Sequence, residues 1–269
     1  MSGNASTYLQ AARLNWRNGT AYPSAPTNVY VALFVTNPAQ NNTSGVEVSG
    51  TGYVRQAIAA SGWGAITGSG PWQIATAGVT SFGTAGSDWG TITGFGLYDA
   101  STGGNLLYVA AFAQSIVVSS GAPVSFAAGA ITITETGTQY LAEARLNWYK
   151  GTAYPTPPSD LYIALYTTMP TLANTGGVEA SWTGYARQSV AASTGWSALS
   201  GTDPTQISNA ALIDYGTAGS GPETVVGWGA LDAATGGNLV DLYTLPSAQT
   251  VNSGADVSFA VGALGVSED

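Results

Sequence analysis

Ala12-Arg13-Leu14-Asn15-Trp16, followed by Gly19-Thr20-Ala21-Tyr22-Pro23, returns 132 positions later as Ala144-Arg145-Leu146-Asn147-Trp148 and Gly151-Thr152-Ala153-Tyr154-Pro155. The correspondence continues through Gly45-Val46-Glu47, Thr51-Gly52-Tyr53 and Arg55-Gln56, matched by Gly177-Val178-Glu179, Thr183-Gly184-Tyr185 and Arg187-Gln188. One extra residue near Thr194 lengthens the offset to 133, which then pairs Thr102-Gly103-Gly104-Asn105-Leu106 with Thr235-Gly236-Gly237-Asn238-Leu239. A period of that size exceeds solenoid and propeller repeats and has the length of a domain. The chain therefore divides into two homologous modules, 1–135 and 136–269, each long enough to bury its own core.

Each module opens with one helix. Ser6 or Thr7 is placed to cap a segment whose apolar residues Tyr8, Leu9, Ala12 and Trp16 recur near helical spacing, with Gly19 as the stop. Thr138 and Gly151 bracket the second helix in the same way. Everything downstream reads as short strands, such as Val29 to Val35 and Leu161 to Tyr166, separated by turn residues. Leu97 through Leu107 predicts a β-hairpin around Asp99 and Gly103-Gly104-Asn105, residues that satisfy turn backbone groups and tolerate positive φ. The expected class is mainly β: two tandem sandwich- or barrel-like modules, each preceded by a short helix. Glu135 to Thr138 is too short to be a flexible tether, so the modules are expected to pack on each other.

Composition narrows the function. Only 8% of residues are charged while 45% are apolar, a balance that folds but makes a poorly solvated exterior. Much of that exterior is expected to lie against other subunits. Charge is uneven: residues 1–135 hold three cations and four acids, whereas 136–269 hold three cations and eleven acids. Six scattered cations cannot form the basic face that nucleic acid requires. The longest apolar run, Leu106 to Ala113, is too short to cross a bilayer, so no membrane insertion is expected. No basic-then-apolar leader is visible, which predicts synthesis in the host cytoplasm as a soluble chain.

The chain has no His and no Cys. It therefore lacks Ser–His and Cys–His nucleophile pairs and the usual nitrogen and thiolate metal ligands. Carboxylate chemistry remains, and the acids kept in both copies on this reading are Glu47/Glu179 and Asp99/Asp232. Asp99 sits at a hairpin turn, where accepting backbone N–H groups is its expected work. Glu47 and Glu179 are expected to form structural ion pairs with Arg55 and Arg187, which lie in otherwise apolar strands. A calcium loop built from Asp99, Ser101, Thr102 and Asn105 lacks the alternating acid pattern. No catalytic residue, cofactor or metal is expected. Trp16 and Trp148 read as core, whereas Trp63, Trp72, Trp89, Trp182 and Trp196 stand in loops, as interface anchors or sugar-stacking rings.

Gly151 to Pro155, Leu161 through Pro170, Gly176-Gly177-Val178-Glu179 and Thr183 through Gln188 resemble a family of tailed-bacteriophage proteins commonly labelled tail-fibre or virion proteins. Trp89 through Ala100, Thr102 through Tyr108 and Val124 through Thr134 carry the same resemblance, which covers both modules nearly end to end. It implies a particle component without enzymatic activity and with no catalytic residues to transfer. Members of that family are single modules, so the tandem form is a departure. The second copy also replaces Trp89-Gly90-Thr91 by Pro222-Glu223-Thr224. The expected role is a capsid-decorating or cement protein of the virion, docked on other virion proteins. Three chains would present six similar modules to a three- or sixfold site, so a homo-oligomer, in particular a trimer, is expected. The alternative is a tail or tail-fibre component, either an adaptor or a reader of host surface glycan.

Overall fold

The computed structural model describes residues 3–201 and 204–268. The first module runs β1 (Gly3–Ala5), α1 (Thr7–Arg17), β2 (Asn28–Thr36), β3 (Val46–Glu47), β4 (Gln56–Ala59), β5 (Thr67–Gly68), β6 (Trp72–Ala75), β7 (Thr80–Thr84), β8 (Gly90–Tyr98), β9 (Leu106–Val118), β10 (Pro123–Phe126) and β11 (Thr132–Glu135). The second runs α2 (Gln139–Tyr149), β12 (Asp160–Thr168), β13 (Val178–Glu179), β14 (Gln188–Ala191), β15 (Thr205–Ser208), β16 (Ile213–Thr217), β17 (Glu223–Leu231), β18 (Leu239–Val251), β19 (Asp256–Phe259) and β20 (Gly265–Glu268).

Each module builds one large antiparallel sheet, β1-β9-β8-β2-β3 or β13-β12-β17-β18, with β4 or β14 added beside the central strand. Small sheets, β10-β7 and β11-β6-β5 in the first module and β15-β20 and β16-β19 in the second, supply the opposing apolar layer. The central strands β2 and β12 bury residues on both faces. Val31 and Leu33 join the main core, and Ala32 and Phe34 join a smaller cluster with Tyr98 and Leu106. The predicted hairpin joins β8 to β9. The Asp99 carboxylate accepts the Asn105 backbone N–H and side-chain amide, both at 2.7 Å. Gly104 stands at φ +75°, where an added Cβ would lie 2.4 Å from the Asp99 carboxylate. Only glycine fits there.

Ser6 caps α1, accepting from the Leu9 N–H. Thr138 occupies the matching position before α2, but its hydroxyl donates to the Val240 carbonyl instead. Each helix touches the large sheet of its own module, α1 on β1 and β9 and α2 on β18, and packs more extensively on a small sheet of the other. Helix α1 lies on β15 and β20 of the second module, and α2 lies on β6 and β11 of the first. The helices thus bridge the two modules, and a single apolar core runs through both halves. The expectation that each half buries a core of its own gives way to this shared one. The cause is geometric: β6 and β11 present Trp72, Ile74 and Ile133 to a helix that the other half provides.

Candidate functional site

The repeated stretch that divides the chain also joins it. The Trp16 indole N–H donates to the Pro155 carbonyl and the Trp148 indole N–H to the Pro23 carbonyl, both at 2.7 Å. Tyr22 stacks on Tyr154 with ring centroids 4.1 Å apart, and each meets the opposite tryptophan edge-on at 5.6 Å. Each half supplies a tryptophan donor and a Tyr-Pro acceptor to the other, an approximate two-fold arrangement. Trp16 and Trp148, read from sequence as core of their own helices, are the centre of this junction.

Beside the rings lies a buried ionic cluster. Arg13 reaches Glu135 at 2.5 Å and Glu268 at 3.3 Å, and Arg145 reaches the same two acids at 3.6 and 2.5 Å. Arg17 contacts Glu268 at 3.0 Å and holds Asp241 through two bonds of 2.8 and 2.7 Å. Three guanidiniums face three carboxylates with almost no solvent access. Burial alone pushes the Glu268 carboxyl up, but Arg145, Arg17 and Arg13 together outweigh it and bring it down from 4.5 to about 2. Burial works against the charge on Arg13 and Arg17 too, and their acid partners more than restore it. Glu135 and Glu268 form a third acidic pair at the 133 offset, which the reading of Glu47 and Asp99 passed over. The signal was present: arginine and glutamate each recur at the same place in both copies.

Elsewhere the junction is deliberately unlike. Arg17 and Asp241 correspond to Tyr149 and Tyr108 in the other half, all buried. Gln10 of α1 accepts a hydrogen bond from Thr205 of β15 at 3.4 Å, while the equivalent positions on α2 and β6 are Ala142 and Trp72. A large residue on the helix faces a small one on the sheet in one half, and the sizes invert in the other. Each half is shaped for its opposite rather than for a copy of itself.

The two expected ion pairs have a specific task. Arg55 Nε and Nη2 donate to Glu47 at 2.9 and 2.7 Å, and Nη1 donates to the Ala100 and Gly103 carbonyls at 3.1 and 2.8 Å. The guanidinium lies 3.7 Å above the Tyr98 ring. Tyr53 donates to Glu47 and accepts the Leu33 N–H, tying the acid to β2. Arg187 repeats the arrangement with Glu179 and the Ala233 and Gly236 carbonyls. These are latches that hold each hairpin turn to the sheet. Glu47 keeps 28% of its side-chain surface exposed, so the pair is half-buried and its loss costs less than that of a fully buried one. Arg55→Met is expected to cost about 2 kcal/mol, because it strands two carbonyls and an acid. Urea denaturation should show the Arg55→Met/Glu47→Gln double replacement losing less than Arg55→Met alone; equal losses would mean the two side chains act independently.

The loop tryptophans require a correction. Trp63, Trp72, Trp89, Trp182 and Trp196 are between 2% and 6% exposed, too buried to stack on sugar or to anchor another subunit. Trp72 opens strand β6, and the segments that carry the other four turn inward. Trp89 and Trp182 are one core ring supplied from two places. Trp89 packs edge-on against Tyr53 and Trp182 against the equivalent Tyr185. Gly50, the counterpart of Trp182, is where a Cβ would lie 2.2 Å from the Trp89 ring. The five rings belong to the apolar core, and Trp63 also reaches Tyr149 across the junction at 6.4 Å.

Among the described residues no group of three or more acids is placed to hold a metal ion, and no helix is long and apolar enough to cross a membrane. All five arginines are spent on the cluster and the latches, and Lys150 donates to the Gly64 carbonyl at 2.8 Å. Among the described residues the exposed charged side chains, Asp88, Asp214 and Asp256, are all acidic.

The arrangement is that of a twin body with a shared core, and comparison with known proteins matches the two halves separately. The family described as Podophage GP4 fiber I protein gp80 matches residues 4–134 and again residues 137–267. Comparison with curated proteins finds no match. The two matched stretches together take in nearly the whole chain, and their limits coincide with the duplication. The chain therefore belongs to the podophage GP4 fibre I protein family and is a phage virion protein carrying the family's module twice.

Proposed function

We propose that this protein is a non-enzymatic tail-fibre component that joins other virion proteins as a stiff adaptor. The match of both halves to a fibre protein family carries this reading. It favours the fibre over the capsid-decorating role expected from composition, since an underhydrated exterior suits any particle-bound subunit. The adaptor role is favoured over glycan reading because the tryptophans nominated for stacking are inside. The shared core and fused junction make the two modules one stiff unit, as a force-bearing part requires. A homotrimer would have to rest on apolar and hydrogen-bonded contacts, because outward charges of one sign repel across a self-interface.

Quantitative mass spectrometry of purified particles tests the placement. A fibre component is expected at no more than a few tens of chains per particle, and symmetric decoration of a shell would need on the order of hundreds. A count in the hundreds would return the protein to the capsid.

A further inference from the structure

The second module holds a groove where the first carries an additional aromatic ring. Leu165, Val225, Leu245, Val257 and Phe259 line a depression of about 250 Å³, with Asp256 at its edge. In the first module the position of Leu245 is Phe112, whose ring lies 5.4 Å from Phe126 in a stacked arrangement and 5.9 Å from Phe95. In the second, Leu245 is shorter, and Trp228, the counterpart of Phe95, turns away to stack on Tyr243 at 4.8 Å. The filler ring is missing.

A second difference falls at the same place. Asp214, Glu223 and Asp256 stand where the first module has Ser81, Gly90 and Pro123. Asp214 is the register partner of Ser258, and Glu223 of Val251, both on the groove wall, while Asp256 lines it directly. Copies of one ancestral module would not be expected to lose a filler and gain three charges at one spot without a shared cause. The groove is also bounded by Gln249 and Thr250 of β18, the outermost strand of its sheet. Residues 245–248 of β18 leave the ladder between the Val225–Gln249 and Gly227–Thr244 pairs. An edge strand offers main-chain groups to an added extended segment.

We propose that this groove receives an extended segment of another virion protein, bearing a bulky apolar side chain flanked by lysine or arginine. Charge complementarity selects that occupant. A second copy of this chain does not qualify, because its arginines are all paired internally and its lysine is bonded to Gly64. The proposal rests on the fibre-component reading for the source of the segment, and only for that.

The test uses the full chain and three fluorescent peptides, of alternating lysine and leucine, lysine and serine, or glutamate and leucine. Anisotropy titration is expected to show the lysine–leucine peptide binding best. Leu245→Phe, which restores the first module's ring, should weaken it at least about tenfold, as should the combined set Asp214→Asn, Glu223→Gln and Asp256→Asn. Equal binding of the lysine–serine peptide, or no change with Leu245→Phe in a chain that melts like wild type, overturns the proposal. Particles carrying Leu245→Phe give the second arm. Loss of the variant from particles that retain wild type supports the groove, and retention of both overturns it. Wild type absent from the fibre would sink the fibre reading alone, and the peptide result would still decide the groove.

Discussion

Glu268→Gln is expected to lower stability by about 3–5 kcal/mol, because it leaves Arg13, Arg17 and Arg145 facing only Glu135 and Asp241 inside a buried junction. In a chain of this size that corresponds to a fall of about 10 °C in Tm. The charge cannot be relieved locally, since arginine does not release its proton under ordinary conditions. Adding Arg145→Met should recover part of the loss by removing the surplus charge. The same carboxylate predicts the acid response. Its folded pKa near 2 lies below the ordinary 4.5, so its stabilisation is complete above pH 4.5 and is lost as pH falls toward 2. Thermal melts across that window should fall more steeply for wild type than for Glu268→Gln. Parallel curves, or a Tm within a degree of wild type at pH 7, would show that the cluster does not hold the halves together.

Moving a tryptophan should be less harmful than deleting it. Trp89→Ala is expected to cost about 3–5 kcal/mol, as for other large core truncations, with loss of the indole bond to the Thr51 carbonyl. Gly50→Trp alone drives its new side chain into the Trp89 ring, 2.2 Å from where the Cβ must go. Gly50 itself is not in the left-handed region, so its backbone accepts a side chain once the space is free. Gly50→Trp with Trp89→Ala recreates the second module's arrangement. That double variant should be more stable than either single one by about 2 kcal/mol or more, read from denaturant midpoints at unchanged slope. Simple additivity of the two losses would mean that Trp89 and Trp182 do not fill equivalent space.

Local chemistry made several features legible without coordinates. The Asp99–Asn105 turn depends on residues within seven positions of one another, and its glycines have a stereochemical reason to be there. The helices announce themselves through spacing and a cap. Glu47 and Arg55 could be paired because an arginine beside an apolar strand needs an acid nearby, although Arg55 itself stands just before β4. The five loop tryptophans could not be placed that way. A ring beside glycine in a polar stretch reads alike whether the loop turns inward or outward, and the burial of Trp63, Trp72, Trp89, Trp182 and Trp196 is decided by neighbours distant in sequence.

From its residues alone the chain declares two β-rich copies of one module, each led by a helix, with no His or Cys to support the commonest catalysis. Periodicity, turn chemistry and composition are local quantities, and they survive in a linear reading. Which helix covers which sheet was settled only in three dimensions. The few residues between Glu135 and Gln139 permit either pairing, and the choice falls to contacts that span more than a hundred positions: Trp16 on Pro155, Arg17 on Asp241, Trp148 on Pro23. Their energy depends on burial, and burial exists only once both halves have come together.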